Sequence, residues 1–337
     1  MINLTSSLET QHFPVMLEEV INICSPTKGR TFIDCTFGGG GYSKRLLKSS
    51  ETKVIALDRD KFLKKISDSL KAKYPGRFFF YNKTFSKVDT VVNNKAVDAV
   101  IFDLGLSSIQ LNNLDRGFSF KSKQNLDMSM GLTSISAEEV INNLSEQELK
   151  TIIKILGEEK EAFKIAKNIV KARMISRIKK VDQLVNIIKK SKSKNYKSKI
   201  NPCTKTFQAL RIFVNKEITE LVDGIINATR ILRPGGKIVI ISFHSIEDKI
   251  VKFFFKNYSS NKSKSSRYIP ESNLNNTSLF NDYRNIVIKP SQTEIAKNPP
   301  SRSAKLRYAI RSKNQFAYPK DLIIKFKRYL DLEKLYA

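Results

Sequence analysis

The chain has 337 residues, 41% of them hydrophobic, and its 60 Lys and Arg against 32 Asp and Glu give a formal net charge of +28. Length and composition exclude a disordered or fibrous chain and suit one large domain with an insertion, or two domains, around a substantial core. The charge favours a polyanion as partner, while an AT-biased genome that writes lysine widely accounts for part of it.

Cys24, Cys35 and Cys203 share no C-x-x-C or His-rich spacing, which predicts reduced thiols in a cytoplasmic protein and no metal. Met1 to His12 lacks both the apolar core of a secretion signal and the arginines of an import signal. No apolar run approaches the ~18 residues of a membrane span, so no membrane partner is expected.

The first predicted element is a short helix in His12-Phe-Pro-Val-Met-Leu-Glu-Glu-Val-Ile21, entered through Pro14, with Val15, Val20 and Ile21 on its apolar face. His12 at its entrance either caps it or touches a ligand. Next, Thr31-Phe-Ile-Asp-Cys-Thr-Phe-Gly-Gly-Gly-Gly-Tyr-Ser43 reads as a strand, a tight glycine loop and a helix start. Glycines there let the backbone approach a ligand, and a helix N-terminus offers unpaired N–H groups. A second strand, Lys53-Val-Ile-Ala-Leu57, ends in Asp58, 20 positions after Gly38, the distance at which an acid accepts hydrogen bonds from ribose hydroxyls. The dinucleotide fingerprint needs Gly or Ala at position 43, where this chain has Ser. With Asp34 inside the first strand, the stretch reads better as an S-adenosylmethionine site, the alternative being a purely structural glycine turn.

Arg77-Phe-Phe-Phe-Tyr-Asn82 is a third strand, followed by Phe85, which either packs on an adenine ring or belongs to the core. Val97-Asp-Ala-Val-Ile-Phe102 is a fourth, running into Asp103, an acid at a buried strand end that must be used or paired. From about Asn113 to Thr206 the texture turns helical, with capping boxes at Ser136-Ala-Glu-Glu139 and Ser145-Glu-Gln-Glu148 and a helix from Glu161 to Ile178 carrying Lys164, Lys167 and Lys171. Residues 113–206 are therefore expected to form a small helical domain inserted into an α/β domain of residues 1–112 and 207–337. Its basic faces suit RNA phosphates or are simply solvated.

Beyond it, Phe207 to Leu232 predicts one long amphipathic helix stopped by a type II turn at Arg233-Pro-Gly-Gly236. A fifth strand, Lys237 to Ser242, ends at Phe243-His244-Ser245. Asn257 to Asn281 reads as a mobile loop, and Asn285-Ile-Val-Ile-Lys289 with Lys305 to Ile310 as an antiparallel terminal hairpin. A mostly parallel sheet with an antiparallel final strand is the α/β architecture of class I (Rossmann-like) methyltransferases.

Ordered stretches from residue 12 to about 311 resemble the bacterial 16S ribosomal RNA cytosine-N4 methyltransferases, which act on cytidine 1402 in the decoding centre of the small ribosomal subunit. They include His12-Phe-Pro-Val-Met-Leu, Asp34-Cys-Thr-Phe-Gly-Gly-Gly-Gly-Tyr-Ser, Leu57-Asp-Arg-Asp60, Asp103-Leu-Gly-Leu-Ser-Ser-Ile-Gln110, Asp115-Arg-Gly-Phe-Ser-Phe120, Thr206-Phe-Gln-Ala-Leu-Arg-Ile-Phe-Val-Asn215, Ser242-Phe-His-Ser-Ile-Glu-Asp248 and Asn298-Pro-Pro-Ser-Arg-Ser303. The resemblance implies an S-adenosylmethionine-dependent rRNA methyltransferase with cofactor contacts at Gly40, Gly41, Tyr42, Asp58, Phe85, Asp103 and Gln110. Tyr42 stands where the family often has His, and Ile109 where it often has Pro.

Methyl transfer from a sulfonium needs no metal, only in-line positioning and a place for the departing proton. Asp103 is the candidate catalytic acceptor at cytosine N4, with cofactor anchoring as its competing and favoured role. His244, Asn298 and Arg302, near strand ends, are candidates for holding RNA. A methyltransferase acting on a different RNA, on protein or on a small molecule, and a non-catalytic RNA-binding protein on the same fold, remain as alternatives; an intact glycine loop with Asp58 argues against the last.

Overall fold

The computed structural model describes residues 14–92, 97–193, 200–261 and 278–335. His12 and most of the stretch from Asn257 to Asn281 lie outside the described residues. The chain divides into two compact units, Met1–Gly105 with Leu221–Ile324, and Leu106–Glu220 with Lys325–Ala337.

The first unit begins with α1 (Leu17–Cys24), β1 (Thr31–Asp34), α2 (Gly41–Leu46), β2 (Lys53–Leu57), α3 (Lys64–Lys73), β3 (Phe78–Tyr81) and β4 (Val97–Asp103). The second holds α4 (Ser108–Asn112), α5 (Ala137–Asn143), α6 (Glu146–Leu156), α7 (Ala162–Ile175), α8 (Val181–Ser191) and α9 (Thr204–Asn215). Helix α10 (Glu217–Ile231) returns the chain to the first unit, which continues with β5 (Leu232–Ser242), α11 (Ser245–Asn257), α12 (Gln292–Lys297) and β6 (Lys305–Ile310); α13 (Lys320–Leu332) follows.

Among the described residues the strands form one sheet in the order β3-β2-β1-β4-β5-β6, parallel except for β6. This is the α/β class expected from the sequence. Every residue of β4 but Asp103 is buried, as a central parallel strand covered on both faces requires. The order reverses between β1 and β4, so the loops leaving their carboxyl ends diverge and open the crevice in which such sheets bind ligands.

Three expectations change. The helix expected over 207–232 is two helices, parted at Lys216 in the left-handed region (φ 50°). The cause is the buried amide of Asn215, which donates to the Met128 carbonyl at 2.8 Å and accepts from the Met130 N–H at 2.8 Å, anchoring the chain where the helix would continue. Arg233-Pro-Gly-Gly236 does not stand between a helix and a strand: β5 already starts at Leu232, and these residues form an irregularity in it, Leu232 pairing with Val97 and Lys237 with Ala99. The terminal strand β6 pairs with β5, and only Ile288 of the 285–289 segment bridges to it, at Leu306.

In the second unit both sequence capping boxes form, Ser136 with Glu139 on α5 and Ser145 with Glu148 on α6. α6 buries Leu149, Ile152, Ile153 and Leu156, and α7 buries Ala162, Ile165, Ala166 and Ile169. Gly157 follows α6 where a Cβ would lie 2.7 Å from the Ile153 carbonyl oxygen. Helix α9 joins this unit through Gln208, whose amide donates to the Leu156 carbonyl at 3.3 Å. Glu333, fully buried, accepts the N–H groups of Ile218 (3.0 Å) and Thr219 (2.8 Å), two of the donors that the start of α10 leaves unpaired. Burial pushes the Glu333 carboxyl up to about 7.

Candidate active site

The glycine loop joins β1 to α2 at the point where the strand order reverses. Gly40 has φ 73° as the residue before α2, and a Cβ there would lie 2.8 Å from Cε2 of Phe37. At Gly41 a Cβ would lie 2.6 Å from Cγ of Pro14, so both positions require glycine. The Gly38 N–H donates to Oδ2 of Asp58 at 2.9 Å, and the Asp60 N–H to its Oδ1 at 2.9 Å. Two backbone amides thus fix the Asp58 carboxylate beside the loop. Each of its oxygens keeps lone-pair capacity for a further donor.

Tyr42, buried in α2, turns away from the loop. Its hydroxyl donates to the Val15 carbonyl and lies 3.2 Å from Oδ2 of Asp103. Burial, reinforced by the Asp103 charge, holds the phenol well above its ordinary range, so it remains a neutral donor. The side chain at position 42 is therefore a link between the Pro14–Met16 segment and β4. This segment also explains why α1 starts at Leu17 and not after Pro14: Met16 is left-handed (φ 52°) and its N–H donates to Oε1 of Glu294 at 2.7 Å.

Asp103 closes β4. Its N–H donates to Thr36 Oγ1 at 2.8 Å, its Oδ2 has Tyr42, and its Oδ1 is buried with no hydrogen-bond partner. A buried carboxyl oxygen without a partner is costly while ionised, so it favours the protonated form or a ligand that donates to it. Burial pushes this carboxyl up to about 8, with Asp34, Glu247 and Glu294 adding like-charge repulsion. Asp34 and Asp58 are pushed up to about 6, again chiefly by burial. Asp58 and Asp103 thus stand at the carboxyl ends of β2 and β4, on either side of β1, whose own Asp34 is fully buried and engaged by the Thr36 N–H and the Ser43 hydroxyl.

Phe85 opens a 3₁₀ turn after β3 and meets Phe102 edge-on at 5.5 Å, while a Cβ on Gly224 of α10 would lie 2.7 Å from its ring. It is half-buried, with a core contact on this side. Gln110, in the second unit, forms a capping box with Ser107 on α4. His244 is the N-cap of α11: Nδ1 accepts the Glu247 N–H at 3.5 Å and Nε2 lies 3.1 Å from Glu247 Oε1, with the ring buried. Asn298 ends α12 with its N–H on the Glu294 carbonyl at 2.7 Å, and Arg302 is exposed in the following 3₁₀ turn. Sequence reasoning missed Val15, Glu247 and Glu294. The only local signal was Glu247 three residues after His244, a capping-box spacing.

The model of the MraW methylase family matches residues 9–312. A protein of Ehrlichia ruminantium (strain Gardel) named ribosomal RNA small subunit methyltransferase H is 43% identical over 302 residues, 88% of this chain and 98% of its own. One of the same name from Rickettsia bellii (strain RML369-C) is 41% identical over 303 residues, 90% and 99%. A solved rRNA methylase of Streptococcus thermophilus aligns over 86% of this chain and 92% of its own at 11% identity and a TM-score of 0.38, a likeness too slight to bear on function. With the glycine loop, Asp58 and Asp103 set around one crevice, and the family model matching nearly the whole sequence, the chain belongs to the MraW methylase family.

Proposed function

We propose that this protein transfers a methyl group from S-adenosylmethionine to the exocyclic N4 of a cytidine in 16S ribosomal RNA, at cytidine 1402 as the sequence resemblance implies. The observation that carries the reading is the buried, unpartnered Oδ1 of Asp103 at the carboxyl end of β4. Asp103 suits a cofactor that bears a sulfonium and an ammonium, Asp58 suits its ribose, and the names of the relatives support an rRNA of the small subunit as substrate.

When bound, S-adenosylmethionine supplies a methyl group already activated by the positive sulfur. Asp58, preset by the Gly38 and Asp60 amides, accepts the ribose hydroxyls. Gly40 and Gly41 keep the loop backbone close to the cofactor. Asp103 offers Oδ1 to the cofactor's cationic end, held in rotamer by Tyr42. Phe85 would pack on the adenine ring, and the resemblance implies a further contact from Gln110. Cytosine N4 is a weak nucleophile because its lone pair is delocalised, so an oxygen accepting N4–H favours attack; the base must sit outside any helical stack to reach it. His244, Asn298 and Arg302 are assigned to the RNA side, with the inserted residues 113–206 as the RNA-handling part.

The test is methylation of 16S RNA by the purified protein with labelled S-adenosylmethionine, with mass spectrometry of the modified nucleoside. N4-methylcytidine at position 1402 is the expected product. Label in another nucleoside, or none on any RNA preparation, overturns the reading.

A further inference from the structure

Helix α7 puts a large ring where the core makes no use of it. Its buried face is Ala162, Ile165, Ala166 and Ile169, and Phe163 stands off that face with 51% of its surface exposed. The ring is flanked from two helices: Lys150 of α6 places its Nζ 5.7 Å from the ring centroid, and Lys167 of α7 places its Nζ at 5.8 Å. α7 also carries Lys164, Lys171 and Arg173 and has no acidic residue along its length. Among the described residues no carboxylate lies within ion-pair distance of Lys164, Lys167 or Lys171. Lys150 donates only to the neutral Gln147 Oε1, at 3.4 Å. An exposed aromatic face between ammonium groups that no carboxylate neutralises is the pattern by which proteins hold single-stranded nucleic acid: the base stacks on the ring and the adjoining phosphates meet the cations.

We infer that Phe163, between Lys150 and Lys167, is a stacking platform for one unpaired base of the RNA substrate, with Lys164 and Lys171 extending the backbone track along α7. The inference rests on RNA being the substrate, as proposed above, and adds a contact away from the methyl-transfer cleft. Ammonium groups above an exposed ring keep it accessible and lose little on exchanging it for a phosphate, because both groups stay solvated. A protein partner that buried the ring would instead have to desolvate both lysines.

The chain contains no tryptophan, so Phe163→Trp introduces a single fluorophore at the proposed site, and Ile324→Trp, at a 71% exposed position, serves as the control. Titration with a mixed-sequence single-stranded oligoribonucleotide should quench the fluorescence of Phe163→Trp and leave Ile324→Trp nearly unchanged. Phe163→Ala and Phe163→Leu should each weaken binding by about tenfold while Phe163→Trp binds at least as well as the unaltered protein, because stacking needs a π-face and not merely apolar bulk. Lys167→Gln should lower the salt slope by about one contact's worth, a change of about 0.7. Equal quenching at both positions, or Phe163→Leu binding like the unaltered protein, overturns the inference. So does loss of activity in Phe163→Ala confined to assembled ribosomal subunits with RNA binding intact, which would assign the ring to a protein contact. If no RNA is methylated yet the quenching is specific to position 163, the functional reading fails and the platform stands. If methylation at RNA concentrations well below saturation is normal in Phe163→Ala, the functional reading stands and the platform fails.

Discussion

The two units of this chain use charge in opposite ways. In the first, carboxyl groups are buried at strand ends and pushed up, to about 6 at Asp34 and Asp58, whose oxygens each have a donor, and to about 8 at Asp103, whose Oδ1 has none. In the second, α7 presents lysines to solvent with no acid along the helix. A net charge of +28 therefore describes neither region. Buried charge is scarcely screened by salt and selects a small ligand by proton affinity and hydrogen bonding, whereas exposed charge acts through counterions and responds to ionic strength.

The largest expected effect breaks this contrast from the basic side. Reversing Lys164, Lys167 and Lys171 to Glu should weaken RNA binding by on the order of a hundredfold or more at low salt and flatten its salt dependence, leaving S-adenosylmethionine affinity unchanged by calorimetry. An unaltered salt slope would return these lysines to a solvated face.

Next is Asp58→Ala, which removes the acceptor that Gly38 and Asp60 preset. Lost ribose hydrogen bonds of about 1–3 kcal/mol correspond to roughly 5- to 150-fold weaker cofactor binding, with RNA affinity retained. Equal calorimetric affinities in the two proteins would remove Asp58 from the site.

Asp103→Asn sharpens the comparison by separating anchoring from chemistry. The anchoring role predicts a dissociation constant raised about tenfold and a near-normal single-turnover rate at saturating cofactor; a role as N4–H acceptor predicts the converse, a rate lowered by roughly 10²-fold. Since a cation prefers the ionised carboxylate, cofactor affinity should rise with pH toward about 8, and the part of that rise above pH 6 should vanish in Asp103→Asn. Stability runs the other way. The folded-state value lies above the ordinary 3.8, so the folded form holds its proton more tightly, and the stability this confers is lost as pH climbs from about 4 to about 8. Thermal denaturation should thus show Asp103→Asn gaining on the unaltered protein across that window, by on the order of a few kcal/mol.

The smallest effect is Tyr42→Phe, which removes the donor shared by the Val15 carbonyl and Asp103. About 1 kcal/mol of stability should go with it, and the pH midpoint of cofactor binding should move upward, because the Tyr42 hydroxyl favours the ionised Asp103. A midpoint unchanged in pH-dependent calorimetry would detach Tyr42 from Asp103.

What the sequence disclosed is what local pattern encodes. The glycine loop, the acids at positions 58 and 103, and the capping boxes at 136–139 and 145–148 are all written within a few residues of themselves, and each has its structural counterpart. The unread features depend on distant partners. Met16 leaves the first helix because of a glutamate 278 positions away, and the helix ends at Asn215 because of a carbonyl 87 positions away. At position 42 the resemblance implied a cofactor contact; the side chain is engaged by Val15 and Asp103, which leaves the backbone for that role. His244 was legible as a residue near a strand end, but not its second engagement, the ring capping the next helix on Glu247.

Glu333 imposes an order of events on synthesis. The amides of Ile218 and Thr219 that it accepts lie 115 and 114 residues earlier in the chain. At about 5–20 residues per second, the start of α10 waits roughly 6–23 s for its acceptor to leave the ribosome. Until then the second unit lacks its last buried contact. A nascent chain stalled before position 333 should expose the junction of α9 and α10 to protease, and release of the next few residues should close it.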